Sequence, residues 1–289
     1  MATVTWLTYV RERFPLGVHL ILVGGLAATG VAVSTVWRWP AFIISFLSLF
    51  VFFFQLRLMD ELKDEHKDRI AHPRRPLPRG LLKSGQVRRL IFRLQILLFS
   101  FAALLAISPE YRLGGALFAS LAAYLWLMYR EFYVGERLSK WPFLYAFTHQ
   151  ILLLPLIAYP AALAHVPSFS RIETWLAGSI IFGAFFAYEI CRKLDPRAHP
   201  VLRTYLASHG PIVVCTAVTV LALVSTYGAV RLGLLLGVAS NGSLIALSWG
   251  LLMVNRQLYK WVEMAATLNL VVQIWVLPLS LALAAFNER

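Results

Sequence analysis

Residues 41–68 read AFIISFLSLFVFFFQLRLMDELKDEHKD, and the change of character at position 60 decides the fold. Residues 41–59 are apolar apart from Ser45, Ser48, Gln55 and Arg57. That run is long enough to cross a hydrocarbon core about 30 Å thick. In lipid every backbone polar group must be bonded within its own segment, so the run is a helix. Five of the chain's fourteen acids, Asp60, Glu61, Asp64, Glu65 and Asp68, then follow within nine residues.

Similar apolar runs lie on either side, at 17–37, 87–107, 113–130, 142–164, 172–190, 210–228, 232–254 and 263–286. With 41–59 they predict nine transmembrane helices, an all-α polytopic bundle around a central cavity, forming a single domain over residues 1–289. Composition agrees: the chain is 59% hydrophobic with a mean hydropathy of +0.69, and only 14% of its residues are charged. A soluble domain carries about 25% charged residues. A transmembrane barrel would show two-residue alternation, which is not present. The segment 1–16 lacks the basic and small-residue marks of a signal peptide and reads as an interfacial lead-in. Gly24, Gly25 and Gly30 in the first run suit close helix packing. Pro155 and Pro160 predict a kink in the fifth.

The net charge of +13 would suggest nucleic acid in a soluble protein. Here it is better explained by the inner-face bias of membrane proteins, so no nucleic-acid partner is expected. Of the 27 Lys and Arg residues, 22 fall in the N-terminus, in the connections after even-numbered spans or in the span residues beside those connections. The bias places the N-terminus and the two longest loops, 60–86 and 191–209, in the cytoplasm. Cys191 and Cys215 have neither metal nor disulfide spacing, and the histidines show no zinc spacing.

Asp60, Asp64 and Asp68 stand at i, i+4 and i+8, so a continued helix stacks them on one face, with Glu61 and Glu65 in a second row. Like charges so placed repel, which makes sense when a cation sits between them. Hard divalent ions take oxygen ligands, and Mg²⁺ commonly uses one or two carboxylates together with substrate phosphates. A plainer reading is a solvated helix in which Asp60 pairs with Lys63 and Asp64 with Lys67. Next comes HPRRPLPRG at 72–80, where Pro73, Pro76 and Pro78 forbid a regular helix and turn the chain back. Arg74, Arg75 and Arg79, with Lys83 beyond, are thereby displayed near the acids. Metal on one set of oxygens and guanidinium groups on the other is the pairing a diphosphate requires.

The pattern Asp60-Glu61-x-x-Asp64-x-x-x-Asp68, followed by Arg75-Pro76-Leu77, resembles the first aspartate-rich motif of the UbiA superfamily of intramembrane prenyltransferases. The usual pair at its head is Asn-Asp, where this chain has Asp60-Glu61. Nine spans, the motif after span two and a second charged loop after span six are similar too. The resemblance implies Mg²⁺ held by Asp60, Glu61, Asp64 and Asp68 together with Glu189 and Asp195 of the second loop. It also implies a polyprenyl diphosphate bound by Arg74, Arg75, Arg79, Lys83, Arg192 and Lys193, and transfer of its prenyl group to a lipophilic acceptor, aromatic ones included. Asp60, Asp64 and Asp68 would be its catalytic acids. The second loop, YEICRKLDPRAHPVLRTYLASHG, departs from the family's Asp-x-x-x-Asp, since its only acids, Glu189 and Asp195, are six apart.

Two other functions fit the same residues: a terpene cyclase on this scaffold, and a cation transporter entered through the acidic stripe. A transporter calls for ionisable groups near the bilayer midplane. The acids here lie at one mouth, which favours the enzyme. Arg130, Glu131, Tyr145, His149 and Gln150 are further polar candidates in or near spans. Glu263 beside Lys260 reads as a local ion pair. The aromatics, Phe52, Tyr124 and Phe185 among them, supply faces that steady a cation.

Overall fold

The computed structural model describes residues 2–34, 36–165 and 171–287. Among them every regular element is helical: α1 (Ala2–Arg13), α2 (Leu16–Ala32), α3 (Trp39–Lys63), α4 (Glu65–Ala71), α5 (Ser84–Ile107), α6 (Arg112–Tyr129), α7 (Gly135–Leu138), α8 (Pro142–Gln150), α9 (Leu153–Leu163), α10 (Ile172–Cys191), α11 (Tyr205–Arg231), α12 (Leu235–Val254) and α13 (Tyr259–Asn287). Each of the nine apolar runs coincides with a helix, or with the pair α8–α9. Among the described residues seven spans are long and apolar enough to cross a membrane, or up to eight counting the bent pair Thr5–Arg13 and Leu16–Ala32. The two runs outside the seven correspond to α2, 17 residues long, and α6, 18 residues long. The chain is a multi-pass membrane protein.

Helices α2, α3, α5, α6, α9, α10, α11, α12 and α13 each pack on the next, and α13 returns to α2, closing a ring. Across it α2 also meets α9, and α10 meets α13. Lipid tails are as apolar as leucine, so the hydrophobic effect alone does not hold such helices together; close packing and interhelical hydrogen bonds do. A Cβ at Gly25 would lie 3.0 Å from Ile274 on α13, and one at Gly30 only 2.7 Å from Pro160 on α9. These glycines let α2 sit directly on both neighbours, filling the middle of the ring at that level. Gly24 is looser, with Trp275 at 3.8 Å.

Buried amides and hydroxyls stitch the ring together. Gln55 Nε2 on α3 donates to Gln95 Oε1 on α5 at 2.7 Å, and Gln95 Nε2 donates to the Ala122 carbonyl on α6 at 3.0 Å. Ser48 and Tyr159 join α3 to α9 at 2.8 Å, and Asn241 donates to Ser225 between α12 and α11 at 3.0 Å. The outer faces stay apolar and exposed to lipid, as at Leu236 and Leu104.

Three breaks shape the end that carries the acids. Pro15 separates α1 from α2 with a bend of 59°, because the residue before a proline avoids helical angles. Tyr9 and Phe14 are buried, so α1 is packed against the bundle, with Phe14 against Phe50 and Phe54 of α3. The kink expected in the fifth run falls between Gln150 and Leu153, where the helix is interrupted and the Pro155 ring opposes the carbonyl four residues earlier, while Pro142–Leu163 remains one span. The expected continuous helix through Asp60–Asp68 is divided as well: α3 stops at Lys63 and α4 begins at Glu65. The backbone bonds Asp64 N–Asp60 O, at 2.9 Å, and Asp68 N–Asp64 O, at 2.8 Å, nevertheless carry the four-residue spacing across the break.

Candidate functional site

The acidic segment and the second charged loop meet at one end of the ring. The short turn Pro200–Leu202 of the second loop packs on α4. Lys63, Arg57, Asp64 and, from the end of α10, Arg192 are the charged groups whose fields reach Asp60 most strongly. Asp60 is half-buried, and its carboxylate makes no hydrogen bond or ion pair with a described residue. Asp64 is half-exposed, with only Lys67 at 4.0 Å beside it. Of the two pairings considered from the sequence, Asp64–Lys67 is thus a loose one and Asp60–Lys63 does not form.

The other sequence-derived acids have partners. Glu61 is buried roughly a third of a turn round α3 from Asp60, where it accepts from Arg13 Nε at 2.8 Å and from Arg57 at 3.3 Å. Asp68, also buried, takes Arg75 at 2.6 Å. Glu189 is gripped by Arg192 and Lys193 of its own segment, both at 2.5 Å. Asp195 accepts the Arg197 backbone N–H at 2.9 Å. Among the described residues no three His, Cys, Asp or Glu side chains are grouped to hold a metal ion. The six carboxylates therefore do not converge. The arrangement fits one divalent ion on the unpartnered Asp60 and its neighbour Asp64, one turn apart, with phosphate oxygens and water completing its shell.

The basic residues divide similarly. Arg75 is committed to Asp68, and Arg79 donates to Glu12 on α1 at 2.8 Å and to the Arg74 carbonyl at 3.0 Å. The loop that displays them is pinned by buried Pro76 and Leu77 and turned by Gly80, whose φ of +78° suits a residue without Cβ. Arg74 and Lys83 are exposed, as are Arg192 and Lys193 at the end of α10.

A cluster beside Asp60 was only half visible in the sequence. Lys63 Nζ donates to the Tyr145 hydroxyl at 3.0 Å and to the Met128 carbonyl at 3.4 Å, and lies 3.3 Å from His149 Nε2. Tyr145 in turn donates to Glu131 Oε1 at 3.2 Å, and that oxygen is 3.9 Å from the ammonium. His149 Nδ1 is 2.8 Å from the Tyr145 carbonyl, an acceptor. The proton therefore sits on Nδ1, which leaves Nε2 to accept from Lys63. The rings of Tyr145 and His149 stack at 4.3 Å. Glu131, Phe132 and Tyr133 all take left-handed backbone angles, φ 49°, 54° and 59°. Three such residues in a row are costly and persist only where the surroundings hold them. Here the stretch delivers Glu131 to Tyr145 and sets Phe132 against Tyr124 and His149. Tyr145, His149 and Glu131 stood out as polar residues in apolar surroundings. Lys63 was read as a surface partner of Asp60.

Fold and charge together define the class: a helical membrane protein with opposed acidic and basic segments at one mouth. A solved structure of digeranylgeranylglyceryl phosphate synthase in membranes is similar to this chain with a TM-score of 0.60 and 13% identity, covering 92% of this chain and 98% of that one. No family model matches the sequence, and no curated protein matches it. The chain thus has the fold of that synthase.

Proposed function

We propose that the protein is a Mg²⁺-dependent prenyltransferase, moving a prenyl group from a polyprenyl diphosphate to a lipophilic acceptor within the membrane. The observation that carries this reading is the Asp60 carboxylate, left without a hydrogen bond or ion pair among the described residues, in a fold similar to that of digeranylgeranylglyceryl phosphate synthase. Asp60 and Asp64 would hold the ion, which supplies positive charge to the diphosphate oxygens. The exposed Arg192, Lys193, Arg74 and Lys83 give the remaining oxygens charge-assisted donors. The carbon–oxygen bond to the prenyl group then breaks, with its electron pair leaving on the diphosphate. Tyr145, Phe132 and Tyr124 offer ring faces to the allylic cation before the acceptor captures it. Arg75 and Arg79 act indirectly, by fastening the 72–83 loop to Asp68 and Glu12. The inner-face charge bias supports a cytoplasmic N-terminus and cytoplasmic loops.

The neighbour's name carries geranylgeranyl groups, so radiolabelled geranylgeranyl diphosphate is the first donor to test, with purified protein, candidate lipid acceptors, and Mg²⁺ or EDTA. Mg²⁺-dependent transfer that is lost in Asp60→Ala and Asp64→Ala supports the reading. Diphosphate release with a hydrocarbon or alcohol product and no acceptor adduct indicates a cyclase instead. Absence of both binding and turnover, with divalent ions crossing proteoliposomes, would establish the transporter.

A further inference from the structure

In the second charged segment Glu189 is bound by both Arg192 and Lys193, and one oxygen of Asp195 accepts the Arg197 backbone N–H. Among the described residues no three His, Cys, Asp or Glu side chains are grouped there to hold a second divalent ion. Yet a prenyl diphosphate brings about three negative charges to a half-buried mouth, where unpaired charge is costly. One cation already stands in that space. Lys63 is on the same helix as Asp60 and lies 3.3 Å from His149 Nε2 on α8. Its ammonium, with a side chain only 14% exposed, is held by neutral groups, the Tyr145 hydroxyl, Met128 carbonyl and His149 imidazole. Its one ion-pair contact among the described residues, Glu131, is 3.9 Å away and shared with Tyr145, and Asp60, nearly a turn back on the same helix, makes no ion pair with it. The positive charge is thus positioned without being neutralised.

Resting on the prenyltransferase reading, we propose that Lys63 is a resident cation of the diphosphate site, doing with a fixed ammonium what a second metal ion would do. Tyr145, His149 and Glu131 are its positioning residues, holding it between the two charged segments. Lys63 swings from Tyr145 toward a diphosphate oxygen, and the chain then needs only the ion on Asp60 and Asp64.

The test is equilibrium binding of a non-cleavable prenyl thiolodiphosphate to the full-length protein in detergent, in EDTA and in Mg²⁺. Wild type is expected to bind in EDTA, and Mg²⁺ titrated onto that complex to fit a single ion per chain. Lys63→Met weakens binding about ten- to a hundredfold in both conditions, the worth of one charge-assisted contact. Lys63→Arg restores most of it, while Lys140→Met, which removes an exposed charge elsewhere, binds as wild type. Melting temperatures of all four proteins separate lost folding from lost contact; if Lys63→Met does not fold, Tyr145→Phe, which loosens the ammonium, must weaken binding in EDTA. Binding that strictly requires Mg²⁺, two ions per chain, or a folded Lys63→Met that binds as wild type each overturns the role of Lys63 and leaves prenyl transfer standing. Failure to bind in either condition would instead overturn the prenyltransferase reading.

Discussion

Arg13 at the end of α1 donates through Nε to both oxygens of Glu61 on α3, at 2.8 and 3.1 Å, and Glu61 is fully buried beneath it. The pair clasps the first helix to the one that carries the acidic motif. Arg79–Glu12 fastens the same helix to the proline-rich loop. Removing one member of such a pair strands the other charge, at about 3 kcal/mol. Glu61→Gln is therefore expected to lower the melting temperature in detergent clearly, and Arg13→Met less, because Arg57 still reaches the carboxylate at 3.3 Å. Mg²⁺ affinity should be unchanged in both. A Glu61→Gln protein of normal stability that binds Mg²⁺ poorly would make Glu61 a ligand after all.

The glycines of α2 give a second, independent measurement. An alanine methyl at Gly30 would press on Pro160 at 2.7 Å and on the Ile157 carbonyl at 2.8 Å, on a helix broken just below. Overpacking of this kind costs about 1–3 kcal/mol. Gly250 in α12 faces open space, so alanine there meets nothing within 4 Å and gains helix propensity, about 1 kcal/mol. Thermal melts should move in opposite directions for Gly30→Ala and Gly250→Ala. Equal shifts would mean that α2 does not touch α9 as closely as described.

The helices were legible because a membrane span is a one-dimensional signal: about twenty apolar residues in a row need no partner to be identified. The breaks at Pro15 and Pro155 were marked by the prolines themselves. The partnering of the acids was not legible. Glu61 and Asp60 are adjacent in sequence and chemically alike, but a helix turns successive residues by about 100°. That rotation gives Glu61 to Arg13, 48 positions away, and leaves Asp60 facing the mouth. Lys63 was misjudged for the same reason, since i, i+3 spacing offers it Asp60 while its actual partner, Tyr145, lies 82 positions on. The chain's acids are few, and in the acidic segment Glu61, Glu65 and Asp68 are spent as clasps.

Glu65 couples the acidic segment to α5 in a pH-dependent way. Burial alone would raise its pKa, but hydrogen bonds from Arg69 at 2.7 Å and Ser84 at 2.8 Å outweigh it and hold the carboxyl below its ordinary value. A folded-state pKa below the unfolded one means the native state binds fewer protons. The stabilisation is therefore present above the ordinary glutamate value of about 4.3 and is lost as pH falls through the lower, folded one. Melting temperature should fall with acidification below that point in wild type and change less in Glu65→Gln. Parallel pH profiles for the two proteins would sink the assignment.

Glu189 offers the sharpest contrast between a metal ligand and a brake on basic residues. It holds both Arg192 and Lys193 at 2.5 Å, so in this arrangement the two cations are partly neutralised before substrate arrives. A diphosphate competing for them must break those contacts. Glu189→Gln keeps the shape and removes the charge, which releases both side chains. Binding of a prenyl thiolodiphosphate should then be retained or tightened, with the Mg²⁺ requirement unaltered. Arg192→Ala, by contrast, removes a charge-assisted donor and is expected to weaken binding about tenfold or more. Were Glu189 a metal ligand, the order would reverse: Glu189→Gln would raise the Mg²⁺ needed for half-maximal binding, and it would do so without any change in the EDTA measurement. The two titrations, run side by side on the same preparations, decide which role the carboxylate has.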